Sequence, residues 1–145
     1  MPTRTARTAW NGTLQDGSGQ AELSSSGAGT FEVSFPKRAA DDADGTTSPE
    51  ELIAAAHSSC YAMQLSALIG EAGGTPQSLE ITADVTLGPD DPGFKLTGIA
   101  LTVRGEVDGL DAAGFAAAAQ AAKETCPVSK ALTGVPITLD AALVT

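Results

Sequence analysis

The chain has 145 residues, of which 42% are hydrophobic and 18% are charged, a balance typical of a soluble globular domain rather than a disordered or fibrous chain. Eight basic and 18 acidic side chains give a net charge of −10, which argues against binding to nucleic-acid phosphates or anionic lipid. We therefore expect a single domain over residues 1–145, with no nucleic-acid or membrane partner.

The first third of the chain is predicted to form a meander of three β-strands. Residues 3–10, 20–25 and 30–35 are separated by turn residues that include Asn11-Gly12. Residues 36–47 have no period and carry three aspartates, so we expect a solvated loop. No apolar run follows Arg4 and Arg7, so the sequence predicts neither a secretory signal nor a membrane anchor, and we expect a cytoplasmic protein.

The strongest local signal is the helix start at Ser48-Pro49-Glu50-Glu51. Ser48 is placed to cap free backbone amides, proline follows at the first helical position, and Glu51 completes a capping box. The helix is predicted to continue for about 24 residues until Gly73-Gly74. Small side chains lie around its whole circumference, so we expect a central, buried helix that is approached closely on several sides.

The remainder of the chain predicts a β-hairpin, two helices and a last strand. Alternating apolar residues over 79–87 and 94–103 indicate the hairpin, with a bulge at Gly98. Asp111 is placed to cap the next helix, and Cys126-Pro127 begins a short helix that ends at Gly134. Residues 135–143 form the last strand. The order βββ-α-ββ-αα-β predicts an α+β fold.

Two cysteines, Cys60 and Cys126, are the first candidates for chemistry. In a reducing cytosol they are not expected to form a structural disulfide. Each thiol is either a small buried hydrophobe or a reactive group, and Cys126 lies at a helix start, where backbone amides lower the pKa of a thiol.

His57 precedes Cys60 by three residues and lies on the same side of the helix. It is either a base beside a nucleophile or a hydrogen-bonded histidine of the core. A third reading places zinc between His57, Cys60 and Cys126, although no fourth ligand is evident.

Arg38 and Glu50 form a candidate electrostatic pair. A guanidinium group could hold a thiolate while a carboxylate fixes the orientation of the guanidinium. The alternative is a solvated loop arginine and a glutamate that interacts with the helix dipole.

Three motifs together resemble the osmotically inducible protein C and organic hydroperoxide resistance (OsmC/Ohr) family. They are Ala-Trp-Asn-Gly at 9–12, Ser-Pro-Glu-Glu-Leu-Ile-Ala-Ala-Ala-His-Ser-Ser-Cys-Tyr-Ala-Met at 48–63 and Cys-Pro-Val-Ser at 126–129. The resemblance covers essentially the whole chain. It implies an interwoven homodimer with antiparallel sheets wrapped around central helices, and a thiol peroxidase that reduces organic hydroperoxides without a metal or organic cofactor.

The resemblance also implies roles for individual residues. Cys60 matches the attacking cysteine, Cys126 the resolving cysteine and Glu50 the carboxylate that orients an arginine. Arg38 matches the arginine of the OsmC branch, which follows the third strand, whereas the Ohr branch places its arginine in the first hairpin turn. The chain is therefore similar to the OsmC branch.

The expected reaction forms a Cys60 sulfenic acid and then a Cys60–Cys126 disulfide, which an external dithiol such as a lipoyl-bearing protein reopens. An apolar pocket with residues such as Leu52, Met63 and Phe94 would favour alkyl hydroperoxides over hydrogen peroxide. The alternative function is a non-catalytic ligand-binding or stress-protective module of the same fold.

Helix geometry separates the carboxylate from the attacking thiol. Glu50 and Cys60 are ten residues apart, which corresponds to about 15 Å along one straight helix. Glu50 and Arg38 are therefore expected to reach Cys60 of the partner subunit across a two-fold axis, so that activity requires the dimer.

Overall fold

The computed structural model describes residues 1–144 and divides into two compact units, Met1–Leu52 and the chain from Ile53 onward. The first unit contains an antiparallel meander in the order β1-β2-β3. Its strands are β1 (Arg7–Asn11), β2 (Ser18–Glu22) and β3 (Thr30–Val33). The predicted three-stranded meander is confirmed, with shorter strands than expected.

A short helix, α1 (Phe35–Ala39), replaces the first part of the predicted loop. The Ser34 hydroxyl oxygen accepts a hydrogen bond from the Lys37 backbone N–H at 3.3 Å, and Pro36 lies in the first turn. Ser34 and Pro36 resemble the start signal of the long helix, but a helix of five residues is too short to show an apolar period. Only residues 40–48 form the irregular connection.

The long helix, α2 (Pro49–Glu71), follows. The predicted cap is confirmed, because the Ser48 hydroxyl accepts from the Glu51 N–H at 3.1 Å. The capping box is incomplete, since the Glu51 carboxylate accepts from the Thr47 hydroxyl. The helix ends as predicted before Gly73, whose φ of +88° suits glycine.

The second unit contains a mixed sheet in the order β4-β5-β6. Its strands are β4 (Thr75–Pro89), β5 (Phe94–Asp108) and β6 (Ile137–Leu143). β4 and β5 form the predicted antiparallel hairpin, whereas β6 runs parallel to β5, which corrects the expectation of antiparallel sheets at this one strand pair. The parallel pairing arises because two helices carry the chain back to the end of the sheet at which β5 begins, so that β6 runs in the same direction as β5.

The hairpin contains the predicted bulge one residue earlier than expected. Thr86 pairs with Gly98 and Leu87 pairs with Leu96, so Thr97 is the extra residue. The insertion restores the inward face of β5, as the change of apolar phase indicated.

Two helices connect β5 to β6. In α3 (Ala112–Thr125), the Asp111 carboxylate caps the helix by accepting from the Gly114 N–H at 2.8 Å. The short α4 (Pro127–Ala131) follows Cys126 directly and ends before Gly134. Both predicted helix starts are confirmed.

The core of the second unit lies between α2, α3 and the sheet. It contains these fully or nearly fully buried hydrophobic side chains: Tyr61, Leu65, Ile69, Ile99, Leu101, Val103, Phe115, Ala118, Ala119, Ala122 and Cys126. The Tyr61 hydroxyl donates to the Ala119 carbonyl at 2.8 Å and so connects α2 to α3.

Only one face of α2 is buried within the described residues. Tyr61, Leu65 and Ile69 recur every four residues and are fully buried, whereas Met63 is 74% exposed. Burial of α2 on several sides therefore stays a prediction for the expected dimer. By length and composition alone α2 could span a membrane, but its buried face is part of the core of a folded unit.

Candidate active site

The two cysteines lie beside each other in the second unit. Cys60 is on α2 and Cys126 is at the junction of α3 and α4, and their Sγ atoms are 3.3 Å apart. Both are free thiols. A disulfide bond is about 2.05 Å long, so a small approach of the two sulfur atoms is enough to join them.

The hydrogen bonds around Cys126 favour its thiolate. Burial alone would raise the pKa of this thiol, but hydrogen bonds from the Ser129 N–H, the Cys60 thiol, the Ser129 hydroxyl and the Val128 N–H together lower it below its ordinary value. The lowered pKa agrees with the expectation for a thiol at a helix start.

The surroundings of Cys60 act in the opposite direction. Burial raises the pKa of its thiol, one hydrogen bond from the Val128 N–H lowers it, and the neighbouring Cys126 raises it further. The net pKa is above its ordinary value. The surroundings within one chain therefore favour the thiolate at Cys126 and disfavour it at Cys60.

His57 contacts a serine that the sequence reasoning did not select. Its side chain is fully buried, and Nε2 lies 2.7 Å from the Ser129 hydroxyl oxygen. Burial lowers the pKa of His57, so the imidazole is neutral near pH 7. Ser129 is three residues after Cys126, a spacing that could have suggested a contact across the α4 start.

Arg38 and Glu50 form a close pair in the first unit. The carboxylate accepts from Arg38 Nε at 3.1 Å through each of its oxygens and from Nη2 at 2.7 Å. Glu50 is nearly buried. The Asp44 carboxylate accepts a hydrogen bond from Lys37 Nζ at 2.9 Å, and this contact lowers the pKa of Asp44.

The other predicted site residues differ in exposure. Met63 is 74% exposed and Phe94 is 61% exposed, whereas Leu52 is half-buried. Their predicted role in binding substrate stays a prediction.

Across residues 1–144, no group of three or more histidine, cysteine and acidic side chains is arranged to hold a metal ion, so the geometry does not support the zinc alternative.

Comparison with known proteins identifies the family. A family model described as OsmC-like protein matches residues 41–140. Peroxiredoxin OsmC of Escherichia coli (strain K12) is 43% identical over 131 residues, which is 90% of each chain.

Two solved structures share the fold. The organic hydroperoxide resistance protein OhrB of Bacillus subtilis superimposes with a TM-score of 0.74 at 31% identity, covering 94% of this chain and 97% of that chain. A Legionella pneumophila protein, described as an organic hydroperoxide resistance protein OsmC, has a TM-score of 0.78 at 26% identity and covers 98% of both chains. The chain therefore belongs to the OsmC family.

Proposed function

We propose that this protein is a cysteine-dependent peroxidase that reduces organic hydroperoxides to alcohols in the cytoplasm, as a single OsmC-like domain. The observation that carries the proposal is the pair of free thiols, Cys60 and Cys126, with sulfur atoms 3.3 Å apart. The names of the relatives, a peroxiredoxin and two organic hydroperoxide resistance proteins, support the same reaction class.

The first step oxidises Cys60. Its thiolate attacks the distal oxygen of the hydroperoxide, the O–O bond breaks, and the departing alkoxide takes up a proton to become the alcohol. Cys60 is left as a sulfenic acid. Cys60 is the attacking thiol because it is partly exposed, whereas Cys126 is fully buried.

The second step joins the two sulfur atoms. The Cys126 thiolate attacks the Cys60 sulfur, the S–O bond of the sulfenic acid breaks, and the released hydroxide is protonated to water. An external dithiol then reduces the disulfide by exchange and is itself oxidised. A lipoyl-bearing protein is one reductant with suitable chemistry. No metal or organic cofactor takes part in these steps.

The raised pKa of Cys60 requires a positive charge that its own surroundings do not supply. Glu50 binds Nε and Nη2 of Arg38, which leaves Nη1 for another acceptor. Ten residues of α2 separate Glu50 from Cys60, or about 15 Å of helix. Arg38 is therefore proposed to stabilise the Cys60 thiolate of the partner subunit in an interwoven homodimer.

The preference for organic peroxides is proposed to come from apolar contacts. Met63 and Phe94 expose large apolar side chains, and with Leu52 they are the proposed substrate-binding residues. Each methylene group of a substrate that such contacts bury contributes about 0.8 kcal/mol. Hydrogen peroxide has no apolar group to bury and is expected to react more slowly.

The test compares peroxide consumption by the wild type, Cys60→Ser and Cys126→Ser proteins, with cumene hydroperoxide and a dithiol such as dihydrolipoamide. We expect steady turnover by the wild type, none by Cys60→Ser and, when the dithiol is left out, about one oxidation per chain by Cys126→Ser. Mass spectrometry of the treated wild type should find a Cys60–Cys126 disulfide.

A thiol count on the same proteins separates a peroxidase from a passive binding module. Thiols are counted before and after one equivalent of cumene hydroperoxide. If no thiol is lost, or if Cys60→Ser consumes peroxide at the wild-type rate, the proposed function is wrong.

A further inference from the structure

The proposed reaction gives no role to two buried polar side chains next to Cys126. His57 is fully buried and Ser129 is 4% exposed. They form a hydrogen bond of 2.7 Å between His57 Nε2 and the serine hydroxyl oxygen. Because water does not reach this bond, it is stronger than an equivalent bond at the surface.

The other nitrogen of the imidazole indicates which tautomer is present. Among residues 1–144, no hydrogen-bond partner lies near His57 Nδ1, although the atom is buried. An unpaired N–H donor in a protein interior is rarer than an acceptor with an unused lone pair. The favoured tautomer of the neutral ring therefore carries its proton on Nε2 and leaves a bare lone pair on Nδ1.

This tautomer fixes the direction of the hydrogen bond to Ser129. With a proton on Nε2, His57 donates and the serine oxygen accepts. The serine O–H is then free to donate elsewhere. The Ser129 hydroxyl and the Ser129 backbone N–H both lower the pKa of the Cys126 thiol, which is the effect of donors that face the sulfur.

We propose that His57 and Ser129 are positioning residues that hold the Cys126 thiolate ready to attack oxidised Cys60, through a chain of hydrogen bonds from Nε2–H to the serine oxygen and from the serine O–H to the sulfur. The chain transfers no proton. It orients the attacking sulfur and stabilises its charge before the S–S bond forms. The role in catalysis rests on the proposed function, because the reaction that it assists is disulfide formation at Cys60.

The first experiment separates the two chemical steps in a single turnover. Protein and cumene hydroperoxide are mixed and quenched at increasing times, and mass spectrometry measures the Cys60 sulfenic acid, trapped with dimedone, and the disulfide. In Ser129→Ala we expect disulfide formation to slow by about tenfold or more, the effect of removing one hydrogen bond to a charged group. Formation of the sulfenic acid should stay within about twofold of the wild type.

Two replacements of His57 provide matched controls. His57→Gln can place an amide N–H near the position of Nε2, whereas His57→Leu removes every donor. We expect His57→Gln to retain most of the disulfide rate and His57→Leu to lose it as Ser129→Ala does. An unchanged disulfide rate in Ser129→Ala, equal slowing of both steps, or equal rates in the two His57 variants would overturn the inference.

A second experiment makes the test independent of peroxide. Cys60 is first labelled as a mixed disulfide with a chromogenic aromatic thiol, and attack by Cys126 then releases the coloured thiol. Ser129→Ala should slow this release by the same factor as it slows resolution. If the wild type releases the thiol quickly but consumes no hydroperoxide, the proposed function fails and the role of Ser129 stands. If Ser129→Ala releases it at the wild-type rate, the role of Ser129 fails.

Discussion

At the scale of single residues, the two thiols differ although their sulfur atoms nearly touch. Burial alone would raise the pKa of Cys126, but the Val128 and Ser129 N–H groups and the Ser129 hydroxyl lower it below its ordinary value, whereas the pKa of Cys60 is raised. The sequence predicted the lowered pKa of Cys126 from its position at a helix start. It did not reveal the contribution of Ser129, because the direction of that side chain depends on packing against His57.

His57 should make the stability of the protein depend on pH. Burial lowers its pKa in the folded chain below the ordinary value of 6.5, so near and below that pH the unfolded chain binds a proton that the folded chain does not. The free energy of unfolding should therefore fall as the pH drops from 6.5 toward the lower folded pKa. The slope is at most about 1.4 kcal/mol per pH unit, and above pH 6.5 this contribution is constant.

Urea unfolding at a series of pH values measures this effect. The control is His57→Gln, which does not titrate, so its stability should depend less steeply on acid over the same range. Identical slopes for the wild type and His57→Gln would show that burial does not depress the pKa of this histidine.

At the scale of elements, helix caps and the bulge were predictable and the fine packing was not. The caps at Ser48 and Asp111 depend on a few neighbouring residues, and the bulge near Gly98 follows from a change of apolar phase along one strand. The α1 helix was missed because its five residues contain too few apolar positions to show a period. The pairing of β6 with β5 joins residues that are distant in sequence, so no local pattern encodes it.

Two glycines of the second unit test how closely its elements pack. A Cβ atom at Gly105 on β5 would lie 3.0 Å from Leu79 Cδ2 and from two ring atoms of Phe115 on α3. Gly105→Ala should therefore destabilise the protein by about 1–3 kcal/mol. Gly70 in α2 has no heavy atom of the described chain within 4 Å of such a Cβ, so Gly70→Ala should stabilise it by up to about 1 kcal/mol.

Urea unfolding of the two alanine variants at one pH measures the free energy of unfolding of each. Each variant is the control for the other, because both make the same chemical change in different surroundings. A Gly105→Ala protein as stable as Gly70→Ala would mean that the strand and α3 are packed more loosely than the structure has them.

At the scale of the whole molecule, one chain exposes a large apolar side chain on its long helix and gives Cys60 surroundings that disfavour its thiolate. Met63 on α2 is 74% exposed, and Cys60 has a raised pKa. Pairing of two copies is proposed to answer both needs. The resemblance in the sequence pointed to a dimer, and the ten-residue separation of Glu50 and Cys60 along one helix predicted that the partner copy supplies Arg38.

Mixing two inactive variants tests which copy supplies each residue. A dimer of one Cys60→Ser chain with one Arg38→Ala chain contains one complete site if Arg38 acts on the partner's thiol. After random re-association, half of the dimers are mixed and each has one working site of two, so about a quarter of the wild-type peroxidase activity should return.

The matched control mixes Cys60→Ser with Cys126→Ser. Both cysteines of a site lie in one chain, so this mixture should show no more turnover than the Cys126→Ser protein that it contains. Gel filtration and mass spectrometry show whether mixed dimers have formed. If they have formed and the first mixture still stays inactive, Arg38 acts within its own chain.

The short distance between the sulfur atoms has a further consequence for survival under a high dose of oxidant. A sulfenic acid that meets a second peroxide molecule becomes a sulfinic acid, which thiols do not reduce. In the proposed reaction, Cys126 lies 3.3 Å from Cys60 and captures the oxidised sulfur in an intramolecular step whose rate does not depend on peroxide concentration. Irreversible inactivation should therefore begin only at concentrations where a bimolecular encounter becomes faster than this capture.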